Sequence, residues 1–412
     1  MENGTSNSAV KTRVLPIPRE TATLGHFEDP STLEKWVLPA EGIPALEEAA
    51  SHLLSTSIPV AFPTETVYGL GADATRSAAV KGIYSAKGRP SDNPLIIHVC
   101  DLTMLRSLLA PKDNSSEPRS DEEVIPYIYL PLIKKFWPGP LTILLPNPQP
   151  SHLAAEVTAG LPTFGARMPS SKLALSLISL AGVPLAAPSA NASTKPSPTT
   201  ASHVLHDLDG RIEIILDGGA CSVGVESTVV DGLCSPPVVL RPGGVSLENI
   251  RECTGWEDVV KGYKDASEIG SHAPRAPGMK YKHYSPKAKV ILYESSHPRI
   301  EDLDGECLRD AGEKIGIIRT KNWLAVAGLA RSANQSSEAY VVEEGPLEDK
   351  QILQISLGTD TKAIAHGLFS ALRDLDGRKV EVILVEGIDD EEDIAAAVMN
   401  RLRKAATHIK TS

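Results

Sequence analysis

The sequence predicts an α/β protein of two units: a twisted open sheet whose helices frame a concave cationic pocket, and a smaller second α/β domain. Three observations lead there. Short apolar runs alternate with helix-period segments between residues 58 and 244. Polar and cationic side chains gather at the breaks between those runs. After about residue 255 the composition turns basic and rich in Pro, Gly and Tyr, and the α/β alternation then resumes.

Taken in order, residues 1–37 are polar and lack periodicity, which predicts a mobile N-terminal tail. The first domain is placed at 38–255. Residues 43–54 carry Ile43, Leu46, Ala49, Ala50, Leu53 and Leu54 at helical spacing and lead into a strand at 58–62. That strand breaks at Pro63 into Thr64, Glu65 and Thr66. A helix over 76–87 ends at Gly88, because glycine takes the left-handed cap cheaply. Lys87, Arg89, Ser91, Asp92 and Asn93 cluster there, before an apolar run at 95–99 that contains His98. In open α/β sheets, ligands bind at breaks of this kind. Residues 111–123 are polar and turn-rich, an exposed loop. A Pro-Gly-Pro break precedes a buried-type strand ending at Pro146. TFGARMPSS (163–171) opens a helix at 172–180. A strand at 184–187 runs into PSANASTKPSPTT, and strands at 212–216, 224–232 and 238–244 close the unit.

Residues 256–289 form a basic linker suited to act as a lid. Within 261–289 there are seven Lys or Arg against two acids, together with Tyr263, Tyr281 and Tyr284. The second domain, 290–412, has strands at 290–293, 315–319 and 380–385 and amphipathic helices at 361–375 and 392–405, a Rossmann-like α/β pattern.

Composition narrows the function. The 412 residues are 42% hydrophobic and 23% charged, ordinary for a globular chain with a real core. The formal net charge of -11 does not hold the chain to nucleic acid or an anionic membrane, so an anionic ligand needs a local cluster of cations. Aromatic content of 4% leaves little for a base-stacking platform. The five cysteines are Cys100, Cys221, Cys234, Cys253 and Cys307, without CxxC spacing, which argues against a disulfide framework and a structural zinc site and fits a reducing compartment. No segment approaches the roughly 20 apolar residues of a membrane helix. Cytoplasmic residence is the expectation, with a mitochondrial pool left open.

There is no GxxxxGK[ST], HExxH or GxSxG string. Gly69, Gly71 and Ala74 fit GxGxxA, but Asp73 is too close to serve a ribose. What accumulates is cations beside small hydroxyl or amide residues: Lys87 and Arg89 with Asn93, Arg167 with Ser170, Ser189 and Asn191 with Lys195, and Arg241 with Gly243 and Gly244. Each has a bland reading. Lys87 suits a helix C-terminus, Arg167 and Arg241 suit surface ion pairs, and His98 suits a satisfied core position. Thr64, Thr66, Glu226 and Ser227 suit turn capping. Four such breaks brought to one sheet edge would instead make a polyphosphate pocket, with Lys as point charge and Arg as fork.

The strings PTETVYGLG, KGRPSDNPLIIHV, WPGPLT, GARMPS, APSANAS, GVESTVVD, LRPGG and PGMKYKHYSP together resemble the YrdC-like family, in its two-domain form, the threonylcarbamoyl-AMP synthases. The resemblance runs from about residue 40 to the C-terminus and implies a nucleotidyltransferase. Its substrates would be L-threonine, bicarbonate or CO2, and ATP with Mg2+, and its products L-threonylcarbamoyladenylate and pyrophosphate. A downstream tRNA threonylcarbamoyl transferase complex would use the adenylate, with at most a weak tRNA contact here and no membrane. By resemblance, Lys87, Arg89, Ser189 and Asn191 form the catalytic KxR…SxN pattern. Thr66, His98, Arg167, Ala187 and Ser227 would hold threonine. Arg89, Asn93, Thr163, Ser189, Ser197, Arg241 and Tyr284 would hold ATP, with Tyr281 second choice to Tyr284. No protein ligand to the metal is implied. Two rivals stay open: an RNA-binding module without catalysis, and a carbamoyl-phosphate-using maturation factor, whose Cys array this chain lacks.

Overall fold

The computed structural model describes residues 10–18, 24–110, 124–263, 283–294, 312–326, 329–331, 340–347, 350–390 and 394–411. In the first unit, β1 (Arg13–Pro16), β2 (His26–Phe27) and β3 (Trp36–Val37) precede α1 (Pro44–Ser55). β4 (Val60–Pro63), β5 (Tyr68–Asp73), α2 (Ser77–Lys87), β6 (Ile96–His98) and α3 (Leu102–Leu109) follow. Then come α4 (Leu130–Phe136), β7 (Leu141–Pro146), α5 (Ala155–Thr158), β8 (Thr163–Arg167), α6 (Lys172–Ala181) and β9 (Leu185–Ala186). The unit closes with α7 (Ala201–Leu208), β10 (Ile214–Asp217), β11 (Thr228–Asp231), β12 (Val238–Arg241), α8 (Leu247–Arg251) and β13 (Val260–Lys261).

These strands form one mixed sheet of 11, in the order β1-β10-β4-β5-β9-β6-β8-β7-β11-β12-β13. α1 starts with a proline in its first turn and buries Leu46, Ala49, Ala50 and Leu53, the stripe its spacing predicts. α2 ends at Gly88, whose φ of 61° is the left-handed cap, so Lys87 leaves the helix beside a sharp turn. β4 and β5 pair as an antiparallel hairpin with Phe62 opposite Gly69 and Pro63 opposite Tyr68. The residues between them, Thr64 to Val67, are therefore its turn. β6 and β8 run parallel with His98 opposite Arg167. Both side chains consequently reach the same strand ends.

Two expectations are corrected. The segment read as a mobile tail is structured in its described parts. β1 pairs with β10, and Leu24, Phe27, Leu33 and Trp36 are buried in the main core. Trp36 donates from Nε1 to Ser176 Oγ at 3.1 Å and packs edge-on against Phe27 at 4.9 Å between ring centroids. Strands of two to four residues carry no visible period, and the partner of β1 lies far along the chain. The sheet also runs past residue 255, because β13 pairs with β12. The GxGxxA string is no phosphate loop either: Gly69 and Gly71 lie within β5, where a Cβ at Gly71 would stand 2.6 Å from the Phe62 ring.

The second unit contains β14 (Lys289–Tyr293), β15 (Lys314–Arg319), β16 (Ala330–Arg331), β17 (Val341–Leu347), β18 (Lys350–Ser356), α9 (Thr361–Gly377), β19 (Val382–Glu386), α10 (Ala395–Ala405) and β20 (His408–Lys410). Its sheet order is β16-β17-β18-β15-β19-β14-β20. β18 through β20 are parallel, and β16 and β17 add an antiparallel edge. α9 and α10 bury their apolar faces with Val290, Leu292, Ile383 and Val385. Val67 and Val225 of the first unit join that same cluster, as do Tyr284 and Phe369. No helix among the described residues is long and apolar enough to cross a membrane.

Candidate active site

A cavity of about 760 Å³, including open solvent at its mouth, lies where the β4–β5 turn, the ends of β6, β8 and β12, and the segment just before β11 converge. Among the described residues, five Lys or Arg line it (Lys87, Arg89, Arg167, Lys195 and Arg241) against one carboxylate, Glu226.

One end is built around Arg167, which is 3% exposed. Its Nε donates to Gly139 O at 3.1 Å and its Nη1 to Thr66 Oγ1 at 2.9 Å. Nη2 stands 2.5 Å from Glu65 Oε1, off the angle for a hydrogen bond. The Thr66 hydroxyl, accepting from Arg167, donates to Thr64 Oγ1 at 2.8 Å, and Thr64 donates to Val67 O at 2.8 Å. This chain fixes both threonines. A guanidinium has five N–H groups. Three face these protein partners, which leaves one on each terminal nitrogen for a ligand. His98, beside Arg167 in register, is pushed down to about 3 by burial and then by the Arg167 charge, so its imidazole is neutral. Its Nδ1 faces Ile96 O at 3.3 Å. Ser227 Oγ meets Thr142 Oγ1 at 2.8 Å, and Ala187 completes this end through its backbone, with its N–H bonded to Ile96 O.

The other end is a cationic arc. Lys87 is buried, and its Nζ donates to Ser189 O and, at 2.6 Å, to Asn191 O, with Asn191 Oδ1 at 3.4 Å. Burial, then the Arg89 charge, holds it well below the usual lysine range. Ser189 Oγ donates to Asn191 Oδ1 at 2.5 Å, and the Asn191 amide donates to Ala192 O and Lys195 O, both at 2.9 Å. Lys87, Ser189 and Asn191 thus form one network in which Lys87 staples the Ser189–Asn191 loop, while Arg89 Nη2 donates to Pro94 O at 3.3 Å. Arg241 donates from Nε and Nη2 to Ser227 O at 3.1 and 2.9 Å, and burial pulls it down to about 10. Ser197 Oγ donates to Glu226 Oε1 at 2.6 Å. Tyr284 is buried with a positive φ of 63°. Burial, with the Glu226 charge next, pushes its phenol up to about 12. A pocket with an amino-acid-sized polar end and a cationic arc fits a carboxylate beside a phosphate chain.

Residues 52–243 match the Sua5/YciO/YrdC family model, described as "Telomere recombination", and residues 245–407 match the model of the threonylcarbamoyl-AMP synthase C-terminal domain. The threonylcarbamoyl-AMP synthase of Schizosaccharomyces pombe is 49% identical over 388 residues, which is 90% of either chain. This chain belongs to the threonylcarbamoyl-AMP synthase family. The Bacillus subtilis threonylcarbamoyl-AMP synthase is 44% identical, over 88% of this chain and 93% of its own. Among solved structures, Pyrococcus abyssi Sua5 complexed with L-threonine aligns with a TM-score of 0.70 at 41% identity, covering 88% of this chain and 95% of that one. A P. abyssi Sua5 variant with a His and a Tyr both replaced by Ala aligns at 0.73 and 37% identity, covering 97% of each.

In this synthase-family chain, most of the residues singled out from sequence line the cavity: Thr66, Lys87, Arg89, His98, Arg167, Ala187, Ser189, Asn191, Ser197, Ser227, Arg241 and Tyr284. Asn93 and Thr163 do not. Thr163 begins β8 and Arg167 ends it, so four strand steps of about 3.3 Å put Thr163 roughly 13 Å from that edge. Asn93 is buried before β6, likewise at the entering end, where its backbone O accepts from the Tyr84 hydroxyl at 3.1 Å. Tyr281 and residues 264–282 of the proposed lid, like the loop at 111–123, lie outside the described residues.

Sequence reasoning missed several participants. Glu65 braces Arg167 and accepts from Ser170 N at 3.2 Å. Its signal was its place between two site threonines. His283 lines the cavity with Nε2 unpartnered and is pushed down to about 3 by burial and then Arg89. Its signal was adjacency to Tyr284. Thr142 had none, being one residue of a strand whose partner is 85 positions away.

Proposed function

We propose that this chain makes L-threonylcarbamoyladenylate and pyrophosphate from L-threonine, bicarbonate or CO2, and ATP. The observation that carries this reading is the single cavity whose two ends differ in chemistry: Arg167, Thr66, neutral His98 and Ser227 at one, and Lys87, Arg89 and Arg241 at the other. The family relationship and the threonine complex of the P. abyssi relative support it.

The threonine carboxylate would take the two remaining N–H groups of Arg167 as a fork. That orientation sends the amine toward the cationic arc. The neutral amine adds to CO2 and gives up a proton to water, leaving a carbamate; a carbamate oxygen then attacks the α-phosphorus of ATP, and pyrophosphate leaves in line. The chain supplies positioning and charge, and no covalent enzyme intermediate enters the scheme. Arg241 and Arg89 offset charge on the phosphates. Lys87 holds the Ser189–Asn191 loop against them. Tyr284 and His283 close the nucleotide side and limit water. Magnesium would accompany ATP. Glu226, the one carboxylate among the described residues that line the cavity, spends its oxygens on Ser197 and Arg401, so phosphate oxygens and water would hold the ion, which would supply charge compensation.

The adenylate is a reactive anhydride, and a separate transferase complex would pass its threonylcarbamoyl group to tRNA. The described cysteines, Cys100, Cys221, Cys234 and Cys253, are free thiols, which supports cytoplasmic residence. Incubating the purified chain with ATP, bicarbonate and L-threonine, without RNA, tests the reading. Mass spectrometry should find a threonine-dependent adenylate; ATP consumption without that mass would refute it.

A further inference from the structure

Glu226 is the only carboxylate among the described residues that line the cavity. An unmatched buried anion beside a triphosphate would oppose binding. The match comes from the other domain. Arg401, in α10, is 0% exposed and donates from Nε to Glu226 Oε2 at 3.0 Å. Its Nη1 donates to Pro242 O, the residue after Arg241. Its guanidinium stands 5.9 Å from the centroid of the Tyr284 ring, which packs on Phe369 of α9 at 5.2 Å. One side chain therefore holds the pocket's carboxylate, the turn behind its Arg241, and its linker tyrosine.

A second clasp lies nearby. Arg373, in α9, donates to Asp207 at 2.8 and 3.3 Å and to Pro196 O. Asp207 also accepts from Ala192 N at 3.3 Å and Lys195 Nζ at 3.1 Å. The loop that carries Asn191 to Ser197 is thus held from the second domain too. Thr199 and Ser370 add a hydroxyl pair at 3.1 Å.

We propose that Arg401 is a positioning residue for the nucleotide: it neutralises Glu226 and fixes Pro242 and Tyr284, so that the second domain completes the active site. This rests on the reading of the cationic arc as the ATP site. The first domain alone would leave Glu226 with the Ser197 hydroxyl and the neighbouring Arg241 charge, but without its buried ion-pair partner.

The test uses the full chain with three variants: Arg401→Gln, Glu226→Gln and both together. Calorimetry reads MgATP and L-threonine affinity separately, and the adenylate assay runs beside it. Arg401→Gln leaves an unmatched anion and should weaken MgATP by about tenfold or more, with threonine changed less than about threefold. The double variant removes that anion and should return MgATP to within about threefold of wild type. An Arg401→Gln variant that binds MgATP like wild type overturns the proposal, as does a double variant no better than Arg401→Gln. Glu226→Gln alone should bind MgATP at least as tightly as wild type, and weaker binding counts against it. Should Arg401→Gln fail to fold, the double variant decides alone: recovery supports the proposal and any larger loss overturns it. A wild type that binds MgATP but makes no adenylate would fail the functional reading without touching this one.

Discussion

Replacing Arg167 with Lys separates charge from geometry at the amino-acid end of the cavity. The guanidinium there donates to Gly139 O and Thr66 Oγ1 and neighbours Glu65, leaving one N–H on each terminal nitrogen. Lysine keeps the positive charge near Glu65, so the buried carboxylate stays matched and the fold should hold. It cannot reproduce two parallel donors to a substrate carboxylate. A hydrogen bond to a charged group contributes about 1.5–3 kcal/mol, so losing one of the pair should cost about 2 kcal/mol. At about 1.4 kcal/mol per decade that is roughly thirtyfold in threonine affinity. Titration calorimetry with L-threonine reads this directly, and MgATP titration of the same sample is the control. A threonine shift below about threefold, or an equal loss for MgATP, would show that Arg167 does not hold the carboxylate.

The remaining predictions follow from other atoms of the site. Lys87→Ala should lower threonine-dependent pyrophosphate release by about 10²-fold or more, by analogy with removing one fixed donor from a charge-stabilising site. Its circular dichroism should stay native, and ordinary turnover would count against the role. His98 gives a pH prediction. Its folded value of about 3 lies below the ordinary 6.5, so the unfolded chain takes a proton first, and stability is lost as pH falls from about 6.5 toward 3. His98→Gln should lose less melting temperature than wild type between pH 7 and 4.5, the difference amounting to roughly 2 kcal/mol. His203 and His283, also lowered, shift both proteins alike; identical slopes would refute the assignment. Gly243→Ala would place a Cβ 2.2 Å from Ser227 C and Thr228 N, both backbone. The turn must move, so thermal melting should fall by the equivalent of about 2 kcal/mol or more and MgATP should bind more weakly. Unchanged melting would mean that the turn yields freely.

Much of the α/β order was legible because its signals are local. α2 and its Gly88 cap, α1 with its buried stripe, and α9 all declared themselves by period and punctuation. β5 did not, because its two glycines resemble a loop; Gly71 is required where the Phe62 ring crosses the strand, whereas a Cβ at Gly69 would make only ordinary contacts. β1 and the β17–β18 hairpin were also unread, the first for shortness and the second for its charged outward face. In the site, Lys87, Arg167 and Arg241 stood out as cations at breaks. Glu65 and Arg401 did not, because their meaning lies in pairing: Arg401 reaches Glu226 across 175 positions, and no local pattern announces such a partner.

The same accounting explains why two domains build one pocket. Lys87, Arg167, Glu226, Arg241 and Arg401 are all buried, and each buried charge destabilises the fold unless matched. Lys87 is matched by backbone carbonyls, Arg167 by Glu65, and Arg241 by Ser227 O. These partners come from the first domain. Glu226 takes the Ser197 hydroxyl and the through-space charge of Arg241 from that domain, and its hydrogen-bonded counter-charge comes from Arg401. A site that must stay cationic for phosphates cannot spend another of its own cations on that carboxylate. Importing one from α10 keeps Arg241 and Arg89 facing the cavity. The interface between the domains is therefore part of the electrostatics of the pocket, and substitutions there should appear first in nucleotide affinity.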